Sequence, residues 1–130
     1  MIDIDYIMDL IDWKKSESDQ VKGIKLAKNV QSINAFLQPH DKKHNKNVWD
    51  NCAKILFERN DEELEPYLSE LMRWLQDMNW PGAYCILKRL QKFEKDSWFD
   101  FILGSSIREA KLLNDEMWES NLQMIKNVNK

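Results

Sequence analysis

Apolar residues recur at three- and four-residue intervals along most of this chain, and nowhere do they alternate with polar ones over the length of a strand. Leu64, Leu68, Leu71, Met72 and Leu75 form one such stripe; Ala83, Ile86, Leu87 and Leu90 form another. That spacing returns side chains to one face of a helix and would scatter them over both faces of a pleated strand. The expected class is therefore all-α. Only 3 Gly and 3 Pro occur in 130 residues, too few for a turn-rich β fold or a low-complexity chain. Six Trp, five Phe and three Tyr supply bulk for one core, and the length suits one domain over 1–130.

Start and stop signals divide the stripes. Residues 2–13 read as a short helix on Ile7, Leu10 and Ile11, which Trp13 closes. Ser16 or Ser18 caps a second helix, 18–37, on Val21, Ile24, Ala27, Val30, Ile33 and Leu37, weakened at Gly23. Gln38 to Asn47 holds Pro39 and no large apolar residue, and reads as a loop. Val48, Trp49, Cys52, Ala53, Ile55 and Leu56 mark a third helix, and Asn60-Asp61 caps a fourth that runs to about Gln76. Pro66 is expected in or near the first turn of that fourth helix, because a proline in mid-helix costs about 3 kcal/mol. Asn79 as N-cap and Pro81 in the first turn start a fifth. Asp96 caps a sixth on Phe99, Ile102, Leu103, Ile107 and Ala110, bent or interrupted at Gly104; Asn114-Asp115 caps a last one on Trp118, Leu122 and Ile125. Six to seven helices are expected.

Three tryptophans share a local context. Trp49, Trp80 and Trp118 are followed at +6 and +7 by Ile55-Leu56, Ile86-Leu87 and Met124-Ile125. Separations of 31 and 38 residues fall in or near the range of helical-pair repeats. A single helix pair cannot bury its apolar face, whereas three stacked pairs can. The expected architecture is a stack of antiparallel helix pairs, a HEAT- or armadillo-like α-solenoid.

The segment Trp74-Leu75-Gln76-Asp77-Met78-Asn79-Trp80-Pro81, with Leu71, Met72 and Ala83, is more specific than any periodicity. It resembles the signature of an uncharacterised bacterial family of small helical proteins, a domain of unknown function with a pattern close to LLxWLQDxNWPxA. Met72 stands where Leu is commoner. The resemblance covers 61–93 well and the rest loosely, and implies an all-helical, HEAT-like fold with no established activity. Within the segment, Trp74, Gln76, Asp77, Asn79, Trp80 and Pro81 suit two roles. A rigid corner needs short polar side chains for orphan helix-end groups and indoles as wedges. A recognition surface needs Trp74, Asp77 and Trp80 exposed as anchors. Burial of the two indoles separates the roles.

Chemistry is sparse. His40 and His44 lie four apart in the loop with Asp41, too few ligands for a metal site. Lys42, Lys43 and Lys46 form a small basic patch, but a net charge of −3 carries no wider basic stripe, so nucleic acid is not the expected partner. Residues 1–60 have net charge +1 and residues 61–130 net −4. No P-loop, dinucleotide fingerprint, G-x-S-x-G or H-E-x-x-H occurs, and no cofactor is expected. Cys52 and Cys85 lie in apolar stripes, as small core residues of a reduced compartment. An acidic N-terminus and short apolar runs suggest a cytoplasmic protein without a membrane span. The expected function is a non-catalytic protein-interaction module, with a homodimer as one arrangement, in the manner of an immunity or antitoxin protein. Asp61, Glu62, Glu63, Glu65 and Glu70 would meet a basic partner. The rival is a HEAT-like enzyme acting on nucleic acid, such as a base glycosylase, with Trp80 and Asp77 at the base.

Overall fold

The computed structural model describes residues 3–39 and 45–126. These residues form eight α-helices and no strand. The helices are α1 (Ile4–Leu10), α2 (Glu17–Ala27), α3 (Trp49–Phe57), α4 (Asp61–Leu64), α5 (Leu68–Arg73), α6 (Ala83–Lys92), α7 (Ser97–Leu112) and α8 (Glu116–Gln123). Short 3₁₀ turns at Ile33–Phe36, Lys46–Val48, Glu65–Tyr67, Trp74–Gln76 and Met124–Lys126 join or extend them.

Local chemistry places most helix starts. The Asp3 carboxylate accepts the Asp5 and Tyr6 amides at α1, and Ser16 Oγ accepts the Asp19 amide at α2. Asn60 and Glu63 form a reciprocal capping box at α4. Asp96 accepts the Phe99 amide at 2.8 Å, and Asp115 accepts the Trp118 amide at 3.0 Å. Each of these groups meets a donor that the helix backbone leaves unpaired.

Several expectations need correction. The second helix ends at Ala27, not at 37, and Val21 is 47% exposed. Gly23 and Ala27 set its inner face instead: a Cβ on Gly23 would lie 2.6 Å from Ile11 Cγ2 and 2.9 Å from Leu10 Cβ, so α2 lies almost in backbone contact with α1. Val21 lies about 200° around the helix from Gly23 and faces outward. The end is set from a distance, because Arg59 Nη2 donates to the carbonyls of Ala27 at 2.8 Å and Val30 at 2.7 Å.

The expected loop 38–47 is anchored at both ends. Gln38 is 1% exposed and donates to the Ala35 carbonyl, and Asn47 accepts the Trp13 amide at 3.0 Å. His40, Asp41, Lys42, Lys43 and His44 lie outside the described residues.

The expected helix 61–76 divides at Pro66, which falls past the first turn. A 3₁₀ turn over Glu65–Tyr67 accommodates the missing N–H and splits the segment into α4 and α5. Counted as one interrupted helix, the segment brings the total to the upper figure expected. Finally, α7 runs unbroken through Gly104.

Helices pack mainly on near neighbours in the chain: α1 on α2, α2 on α3, and α7 on α8. Two longer-range contacts set α3 against α6 and α5 against α7, and the Met124–Lys126 turn returns to α6. Asn51, 3% exposed on α3, donates to the Ile11 carbonyl at 2.7 Å and Gln20 Oε1 at 2.9 Å, tying three helices at one polar point.

The three tryptophans read as equivalent occupy unlike places. Trp49 opens α3 and meets Trp80 edge-on, with centroids 5.6 Å apart. Trp80 precedes its helix, whereas Trp118 is fully buried in the first turn of α8. The repeat of spacing is not a repeat of environment.

The glycines should respond differently to alanine. Gly23→Ala forces α1 and α2 apart and costs about 1–3 kcal/mol. At Gly104 the nearest atom to an added Cβ is the flexible Arg108 Nη1 at 3.6 Å, so Gly104→Ala should stabilise the chain by about 0.5–1 kcal/mol. Urea unfolding of both variants checks the pair.

Candidate functional site

Two polar assemblies hold the helices, and the residues singled out from the sequence divide between them. The first is the turn from α5 to α6. Trp74 is fully buried, and its Nε1 donates to the Pro81 carbonyl at 3.0 Å across the turn. The Asp77 carboxylate accepts the Asn79 amide at 2.8 Å, and the Asp77 carbonyl accepts the Trp80 amide at 3.0 Å. Trp49 lies edge-on to Trp74 at 6.4 Å as well as to Trp80, so three indoles pack as one cluster. Gln76, Trp80 and Pro81 are half-buried.

Asn79 was expected as the N-cap of the next helix. Gly82 holds that position with φ +84°, and Asn79 is exposed ahead of it. A Cβ on Gly82 would lie 2.7 Å from Ala53 Cβ, 3.0 Å from the Trp49 carbonyl and 3.1 Å from Trp74 Cζ2. The left-handed backbone and the closeness of α3 both demand glycine there. Neither demand shows in local sequence, because Ala53 and Trp49 are distant in the chain. The carbonyls that close the preceding helical segment are filled from α8: Trp118 Nε1 donates to Met72 at 3.0 Å, and Asn121 Nδ2 to Leu75 at 2.8 Å. Trp74 is thus sealed and the Asp77 carboxylate engaged by backbone, while Trp80 keeps part of its ring exposed.

The second assembly is centred on two arginines. Arg59 Nη2 caps the end of α2, while its Nη1 meets Glu63 Oε2 at 2.8 Å. Arg89, 5% exposed on α6, donates from Nη2 to the Arg59 carbonyl at 2.8 Å and to Asp61 Oδ1 at 2.6 Å. Asp61 Oδ2 accepts the Glu94 amide at 3.0 Å. Arg89 Nη1 finds no acceptor among the described residues; its guanidinium stands 5.3 Å from the Phe93 ring centroid, in cation–π range. Sequence reasoning overlooked this knot. Its signal was an arginine within an apolar stripe, between Ile86 and Leu90, since an inward-facing guanidinium needs acceptors.

The acidic candidates are thereby sorted. Asp61 and Glu63 serve the fold, Glu62 and Glu65 are exposed, and Glu70 is half-buried. Burial favours the neutral acid at Asp61, yet the Glu94 N–H and the Arg89 guanidinium outweigh it and hold that carboxyl below its ordinary range. Arg59, and then the Asn60 amide, lower Glu63 in the same way. Cys52 is fully buried and Cys85 half-buried. Burial, reinforced by Asp50, raises the Cys85 thiol and keeps it protonated, unlike an activated nucleophile. Among the described residues no three His, Cys, Asp or Glu side chains gather as a metal site, and no helix is long and apolar enough to cross a membrane.

A family model described as a domain of unknown function, DUF5071, matches residues 37–129. No curated protein and no solved structure matches the chain.

Three outcomes follow from the two assemblies. Gly82→Ala should destabilise by about 2–4 kcal/mol in urea unfolding, combining strained φ with overpacking. Arg89→Met, which strands Asp61 and the Arg59 carbonyl, should cost about 3 kcal/mol by the same measure. Asp61 and Glu63 bind protons less readily folded than unfolded, so their stabilisation is full above the ordinary carboxylate range. It is lost as pH falls below about 4 through their lowered folded values. Asp61→Asn with Glu63→Gln should flatten that acid limb of the urea midpoint against pH.

Proposed function

Since the chain belongs to the DUF5071 family of domains of unknown function, we propose that it is a non-catalytic protein-interaction module that meets a basic partner through an acidic edge. The observation that carries this is the sorting of carboxylates around α4. Asp61 and Glu63 are neutralised by Arg89 and Arg59, while Glu62 and Glu65 point to solvent from a segment held by a capping box and two guanidinium groups. Exposed charges on a rigid mount steer association without first paying ordering entropy. Glu58, exposed at the end of α3, extends the edge.

The scaffold is a short HEAT-like stack. The packing of α3 on α6 and of α5 on α7 supports this, because alternate helices lie side by side in such stacks. A bacterial cytoplasmic immunity protein, whose acidic edge neutralises a basic toxin, fits the same chemistry. The glycosylase-like alternative draws no support from the corner: the Asp77 carboxylate is engaged by the Asn79 amide, and Trp80 packs on Trp49.

The test is a comparative pull-down with the intact chain and a Glu62→Lys, Glu65→Lys variant as baits. A basic protein held by the intact chain, released by raised salt and largely lost with the variant, is the expected result; the variant's association rate should fall several-fold. Equal capture of the same partner by both baits at every salt concentration would remove the acidic edge.

A further inference from the structure

The longest helix carries two apolar faces. Inward, Phe99, Leu103, Ser106 and Ala110 of α7 are buried against the core. Outward, Trp98, Phe101, Ser105, Arg108 and Leu112 fall at intervals of three, four, three and four residues, the spacing of a helix seam that pairs with another helix. Trp98 and Phe101 stack on each other with centroids 5.6 Å apart and remain 48% and 56% exposed; Leu112 is 84% exposed. Leu113, in the turn before α8, and Met117, in the first turn of α8, are exposed as well, so five of the nine large exposed hydrophobic side chains among the described residues lie on α7 or just beyond it. Gly104 lies beside the middle of the seam. Nothing among the described residues needs it: its φ is helical and an added Cβ would have room. A mid-helix glycine that weakens its own helix without serving its own fold suits the close approach of a second backbone.

We infer that a second copy of this chain occupies the outer face of α7, with the two helices antiparallel about a two-fold axis near Ser105. The seam is self-complementary in that arrangement alone. Trp98 of one copy meets Leu112 of the other, Phe101 meets Arg108, and the small Gly104 and Ser105 lie where the helices cross. Asp100 and Lys111 lie on the flank of α7 that faces α8 and the following turn, where Lys126 and Glu119 pair with them, and this arrangement leaves those contacts in place. Even with Leu113 and Met117 covered as well, the five exposed side chains offer about 600 Å² per copy, the lower bound of a specific two-chain interface, which suits a weak, reversible dimer. This inference is independent of the acidic edge, which lies on α4.

Sedimentation equilibrium of the intact chain across the micromolar range tests it. The expected result is a reversible shift from 15.6 kDa to twice that mass. Phe101→Glu should remain monomeric throughout with unchanged far-ultraviolet circular dichroism, because that side chain serves no intrachain core. Val21→Glu, an exposed apolar site on α2, should associate like the parent. As a second measurement, Ser105→Cys should form a symmetric intermolecular disulfide under mild oxidation, and Phe101→Glu should abolish it. A parent that stays monomeric across the range, or a dimer that Phe101→Glu leaves intact, overturns the inference.

Discussion

The carbonyls of Met72, Leu75 and Pro81 lie where a helical segment ends and the chain must reverse, and each is filled by a side chain: Trp118, Asn121 and Trp74 in turn. Two of the three donors come from α8, more than forty residues further along the chain. An unfilled carbonyl at such a helix end costs a substantial part of a small domain's net stability. The turn therefore holds its shape only when α8 is docked, and α8 docks only on a turn of that shape. Gly82 completes the arrangement by letting α3 approach within backbone distance. The indole cluster around Trp49 then fills the space on the other side of the turn.

The arginine knot plays a corresponding part at the opposite ends of the helices. Arg59 stops α2, Arg89 holds the carbonyl of Arg59, and Asp61 links Arg89 to the chain leaving α6. Such groups are expensive to bury singly and become tolerable when each satisfies several partners. One consequence is structural: the end of α2, the link from α3 to α4 and the chain leaving α6 are tied to one another. The other is electrostatic. Arg89 and Arg59 pair with Asp61 and Glu63 at the surface, which leaves the exposed Glu62 and Glu65 without such a guanidinium partner on a segment held by a capping box.

A helix with apolar residues on both sides needs two partners. The inner side of α7 finds the core; its outer side bears a stacked aromatic pair and the most exposed leucine among the large hydrophobic side chains. Pairing with an identical chain reconciles that surface with water without any further element of this fold.

The helical class, the caps at Ser16, Asn60, Asp96 and Asp115, and the inward stripes of α3, α6 and α8 were legible in sequence, because each depends on groups within one or two turns of each other. The segment 74–81 was legible as a junction between two helices, while the filling of its open carbonyls from α8 was not. The end of α2 at Ala27, the outward turn of Val21, the replacement of Asn79 by Gly82 as the helix cap and the unlike settings of Trp49, Trp80 and Trp118 were not. Each is imposed by a residue a dozen or more positions away: Arg59 on Ala27, Ile11 on Gly23, Ala53 on Gly82, and Met72 on Trp118. Short-range hydrogen bonding and periodicity are encoded locally, so the order of residues settled them. Steric closeness and the filling of distant carbonyls exist only once the helices are assembled, so packing in three dimensions settled those.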